Sequence, residues 1–142
     1  MHFADALTQR IQQTSPVCVG LDPRIEKLPE GVRKDASGLL VFNKGIIDAV
    51  ADIASVVKPQ LAFYEVLGWE GMRVFWETCA YAKSKGLIVI ADGKRNDIGS
   101  TCEAYAEAYL GNDKPVDALT VNPYLGSDGI KPFLEQCTKN DK

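Results

Sequence analysis

The segment Leu87-Ile88-Val89-Ile90-Ala91-Asp92-Gly93-Lys94-Arg95-Asn96-Asp97-Ile98-Gly99 decides the architecture. Its first five residues are continuously apolar, the pattern of a strand buried on both faces in a parallel sheet covered by helices. The run ends at Asp92, and charges follow with no helix for them to lie on. Side chains alternate faces along a strand, so Asp92 and Lys94 project to the same side. Asp97 comes soon enough after Lys94 to return toward it in a loop. Carboxylates on either side of a lysine favour its charged form. An ammonium held in a pocket is a preorganised cation and a proton donor. A surface cluster of ion pairs is the plain alternative.

Apolar run followed by helical pattern occurs four times in the chain. Val17-Cys18-Val19-Gly20-Leu21 stops at Asp22-Pro23, and a polar loop leads into Leu39, Phe42, Ile46, Ile47, Val50 and Ile53 at helical spacing. The second run, Val56 to Phe63, is interrupted by Lys58 and by Pro59, which removes a ladder donor and keeps the strand short or irregular. The helix after it carries Trp69, Met72, Phe75, Trp76 and Cys79 on one face as core, with Gly86 placed to cap its C-terminus. Ser100-x-x-Glu103 reads as a capping box opening a helix through about Leu110. The fourth run, Val116 to Val121, stops at Asn122-Pro123, and a last helix covers about Ile130 to Cys137.

Alternating strand and helix implies right-handed βαβ units and a parallel sheet; a doubly wound sheet and a (β/α)₈ barrel both fit. Neither GxGxxG nor GxxxxGK[ST] follows any strand, which argues against nucleotide-binding Rossmann and P-loop folds. Ligands of parallel α/β proteins bind at strand C-terminal ends. Asp22, Asp92 and Asn122 fall there, although Asp and Asn also simply start loops and cap helices.

At 142 residues the chain has the length of one domain, and its 46% hydrophobic and 25% charged composition is that of a globular protein. A net charge of −3 argues against a nucleic-acid partner. No apolar run approaches the ~20 residues of a membrane span, and residues 1–13 lack the pattern of a secretory signal. The one histidine, His2, sits at the terminus, which removes Ser–His–Asp and Cys–His catalysis and His-rich metal sites. The four cysteines, Cys18, Cys79, Cys102 and Cys137, are far apart and form no CxxC, as in a reduced cytoplasmic protein. An active site here is built from carboxylates, lysines, arginines and backbone.

Asp92-Gly93-Lys94-Arg95-Asn96-Asp97-Ile98-Gly99-Ser100-Thr101 resembles the Asp-x-Lys-x-x-Asp signature of the orotidine 5′-phosphate decarboxylase family. Val19 to Arg24 resembles the first-strand motif of the longer bacterial branch, Val57 to Glu65 the second-strand motif, and Thr120 to Gly126 the fourth. The signature alone is shared with sugar-phosphate lyases of the same superfamily; four motifs in order are far more specific. The resemblance implies a (β/α)₈ barrel, decarboxylation of orotidine 5′-monophosphate to UMP without cofactor or metal, and a homodimer with shared active sites. Carried over, Lys94 protonates the pyrimidine C6 and stabilises charge developing there, and Asp92 sits beside the substrate carboxylate. Asp97 orients the neighbouring subunit's lysine, Thr101 helps bind ribose there, and Asp22 and Lys58 contact ribose hydroxyls.

A barrel of this kind usually needs ~250 residues. Four βα units make half of one, so residues 1–142 are expected to be the N-terminal portion of such a domain, with the phosphate-binding arginine and the pyrimidine-edge loops lying beyond Lys142. The competing readings are a magnesium-dependent sugar-phosphate lyase and a half barrel with no catalysis of its own.

Overall fold

A computed structural model describes all residues, 1–142. Four strands, β1 (Cys18–Leu21), β2 (Val56–Pro59), β3 (Ile88–Arg95) and β4 (Ala118–Val121), form a sheet in the order β1-β2-β3-β4. Every neighbouring pair is parallel, with Val19 opposite Val57, Val57 opposite Val89 and Ala91 opposite Leu119. The helices are α1 (Phe3–Gln13), α2 (Ala36–Val50), α3 (Ala62–Glu65), α4 (Gly68–Ser84), α5 (Gly99–Leu110) and α6 (Ser127–Asn140).

The core lies between one sheet face and the helices. Leu21, Val57, Val89 and Ala91 supply the sheet side, and Leu39 and Ile47 of α2, Phe75 and Cys79 of α4, and Ala106 and Leu110 of α5 supply the helical side. Phe75 anchors an aromatic cluster, with Trp76 at 4.9 Å and Tyr64 at 5.4 Å between ring centroids, both edge-to-face. Gly86 takes φ +78° beyond the end of α4, and the Leu87 N–H returns to the Ala82 carbonyl at 3.1 Å, the expected C-terminal cap.

Several expectations are corrected. The decisive strand is buried on one face by Val89 and Ala91 against helices, and on the other face Ile88 and Asp92 are buried while Ile90 between them is half-buried. It also runs past Asp92 to Arg95. The second strand stops at Pro59, followed by a single bridge of Gln60 to Asp92, and Ala62 and Phe63 belong to α3, where the Phe63 N–H bonds the Gln60 carbonyl at 3.2 Å and the Tyr64 N–H the Leu61 carbonyl at 2.9 Å. Trp69 is 74% exposed, so it stands outside the core stripe of α4. The capping box does not form: α5 begins at Gly99 with Ile98 as N-cap, leaving Ser100 already inside the helix with no cap bond. Helix α6 is longer than expected at both ends, and it accommodates Pro132. Phe3–Gln13, for which no element was expected, is helical, with His2 Nδ1 accepting the Ala4 N–H at 3.3 Å as its cap.

Candidate active site at the strand C-terminal ends

Asp92 is the hub. It is 5% exposed, and its side chain lies on the face of β3 turned away from the helical core. Lys58 Nζ from β2 reaches Oδ2 at 2.6 Å, and Gln60 Nε2, past the end of β2, donates to the same oxygen at 3.0 Å. Lys94 Nζ reaches Oδ1 at 2.6 Å, and the Thr120 hydroxyl from β4 donates to Oδ1 at 2.8 Å. Three adjacent strands thus converge on one carboxylate, and each oxygen accepts two donors.

The period-2 expectation for Asp92 and Lys94 holds, by a distorted route. The β3–β4 register shifts between Ala91 and Arg95, and Lys94 adopts φ +47°. That left-handed conformation costs a side-chain-bearing residue ~1–2 kcal/mol, and such strain gathers at functional sites. Arg95 lies on the opposite face, as alternation along the strand requires. There its guanidinium bonds Glu65 and the Tyr109 hydroxyl and stacks on the Tyr105 and Tyr109 rings at 5.3 and 5.2 Å. Gly93 allows the segment to pass, since a Cβ there would fall 2.7 Å from Leu61 Cδ1.

Burial pushes the Asp92 carboxyl up, but hydrogen bonds from Lys58, Lys94 and Thr120 outweigh it and hold the group at about 2. The hydrogen bond to Asp92 raises Lys58 above the usual lysine range; burial opposes this, and the charges of Asp92 and Asp22 add to it. The result is a fixed carboxylate between two ammonium groups, one of which, Lys94, has a side chain 63% exposed to an incoming ligand.

The other expected site residues are placed less tightly. Asp22 directly follows β1, exposed, and acts on Lys58 through its charge without a hydrogen bond. Asp97 does not return to Lys94 within the chain: its Oδ1 accepts the Ile98 N–H at 2.8 Å, because the chain turns there to enter α5. Thr101 is exposed on the first turn of α5. Asn122 behaves as a loop starter, its Oδ1 accepting the Tyr124 N–H at 2.9 Å. Gln60 and Thr120 were not expected in the site. Their signal was available: Gln60 follows Lys58 by one strand period, and Thr120 is near the end of the fourth apolar run.

No group of three or more His, Cys, Asp or Glu side chains is arranged to hold a metal ion. Asp92, the one buried carboxylate at the strand ends, is already saturated by donors, and its two ammonium neighbours would repel a divalent cation.

Parallel βα units with charged groups gathered at the C-terminal strand ends define a chain of the βα-barrel class, four units of it being present. Residues 15–142 match the orotidine 5′-phosphate decarboxylase / HUMPS family, and the chain belongs to that family. An orotidine 5′-phosphate decarboxylase of Rhodopirellula baltica is 50% identical over 155 aligned positions, which take in 98% of this chain and 51% of the relative. A crystal structure from Streptomyces avermitilis, provisionally assigned to the same enzyme, superposes with a TM-score of 0.90 at 39% identity over 99% of this chain and 50% of that one. The OMP decarboxylase of Leishmania donovani superposes with a TM-score of 0.82 at 34% identity over 95% and 50%. The chain therefore spans about half the length of the relatives it matches.

Proposed function

We propose that this chain carries the proton-donating half of an orotidine 5′-monophosphate decarboxylase, the N-terminal portion of a barrel domain. The observation that carries the reading is the Lys58–Asp92–Lys94 array, which presents an ammonium to solvent beside a carboxylate that stays ionised at neutral pH. In the proposed reaction the bond between C6 and the substrate carboxylate breaks and CO₂ leaves. The electron pair left at C6 takes a proton from Lys94, which is recharged from water. A cation already in place stabilises the developing charge without reorganisation. Asp92 lies beside the departing carboxylate and orients Lys94, while Asp22 and Lys58 bind ribose hydroxyls. Asp97 and Thr101, which make no contact with Lys94 here, serve a second copy's site in a cytoplasmic homodimer. The reading requires no cofactor or metal.

The test expresses the 142-residue chain with and without the complementary C-terminal half of the Rhodopirellula baltica relative and follows loss of orotidine 5′-monophosphate. Turnover that needs both halves, survives a chelator and disappears with Lys94→Ala is expected. A folded, assembled pair without turnover would leave a non-catalytic half barrel as the answer. Recovery of the Lys94→Ala variant by magnesium would favour the sugar-phosphate lyase.

A further inference from the structure

We propose that Thr120 is a positioning residue that sets Lys94 through its backbone; the inference rests on the proton-donor role given to Lys94. Between the pairs Ala91–Leu119 and Arg95–Val121, the residues Asp92, Gly93 and Lys94 of β3 stand opposite Thr120 alone on β4. The excess length bulges out of the ladder, and Lys94 pairs with no residue of β4 in the register. There Thr120 Oγ1 accepts the Lys94 N–H at 2.9 Å. The same hydroxyl gives its hydrogen to Asp92 Oδ1 at 2.8 Å.

A hydroxyl has one hydrogen and two lone pairs. With the hydrogen committed to an ionised Asp92, the lone pairs face the Lys94 amide, so the bridge has one orientation. It ties the carboxylate to the backbone of the lysine that the same carboxylate holds by its side chain at 2.6 Å. Lys94 is fixed at both ends in a left-handed conformation, φ +47°, that it does not favour by itself. Removing the hydroxyl frees the bulge to relax toward ordinary φ, which swings Nζ off its line to the substrate while leaving the binding groups Asp22 and Lys58 in place.

Thr120→Val keeps the shape and deletes both bonds; Thr120→Ser keeps both. In the 142-residue chain, hydrogen exchange at the Lys94 amide should accelerate at least ~10-fold in Thr120→Val, with Val57 and Val89 unchanged, and return to the parent rate in Thr120→Ser. In the assembled enzyme Thr120→Val should lower kcat by ~10- to 100-fold with KM changed less than about threefold, and Thr120→Ser should restore it. An unaltered Lys94 exchange rate, acceleration spread evenly over the strands, or an unaltered kcat would each overturn the proposal. If the parent enzyme shows no turnover, the decarboxylase reading fails instead, and the exchange comparison alone decides the role of Thr120.

Discussion

Asp92→Asn tests how the charge array is held together. Asn has the shape of a neutral carboxyl, so the substitution asks what ionisation of Asp92 contributes to the fold. The folded group is held at about 2 against an ordinary value of 3.8. At ~1.4 kcal/mol for each tenfold change in proton affinity, this difference corresponds to ~2–3 kcal/mol of stability. A depressed value means that the contribution is complete above pH 3.8 and fades as the pH falls toward 2. At pH 7 the variant should unfold at a urea concentration lower by ~1 M, taking a slope of ~2 kcal/mol per molar. The gap should narrow below about pH 4 and close only below about pH 2, where the native carboxylate is itself mostly protonated. Without the anion, Lys58 and Lys94 face each other uncompensated, so the loss at neutral pH has a direct Coulombic origin. A variant as stable as the parent at pH 7, or a gap unchanged down to the acid limit, would refute the reasoning.

Three further outcomes are expected. Lys94→Ala, in the assembled enzyme, should lower turnover by at least ~10²- to 10⁴-fold while leaving the circular dichroism spectrum unchanged, since its side chain is largely exposed; turnover within tenfold of the parent would dismiss the proton-donor role. Gly93→Ala places a methyl 2.7 Å from Leu61 Cδ1 and 3.1 Å from Leu119 Cδ1, an overpacking worth ~1–3 kcal/mol, so thermal unfolding should fall by several degrees, and an unchanged Tm would contradict the packing described. The isolated 142-residue chain presents β1 and β4 as open edges, and unpaired edges invite association; sedimentation should show dimers or larger species, and a monomer across concentrations would count against this.

Much of the fold was legible because its signals are local. Four apolar runs ending in polar residues marked four parallel strands, and helical spacing marked α2 and α4. The local reading failed where longer-range packing competed with it. Ser100 and Glu103 have the spacing of a capping box, yet the turn at Asp97 and Ile98 starts the helix two residues too early for Ser100 to cap it. Leu61 to Phe63 continue an apolar run, yet a helical turn takes them out of the sheet, the Phe63 N–H bonding the Gln60 carbonyl and the Tyr64 N–H the Leu61 carbonyl.

The candidate site divides in the same way. Sequence determined the chemistry: with one terminal histidine and scattered cysteines, lysine and carboxylate were the usable groups, and the spacing of Asp92 and Lys94 put them together. It did not determine what surrounds Asp92. Lys58, Gln60 and Thr120 meet that carboxylate only because β2 and β4 pair with β3 in one register. A shift of one residue would turn each of these side chains to the other face. The left-handed backbone at Lys94 likewise follows from an unequal residue count between β3 and β4, a property of two strands in contact and of neither alone.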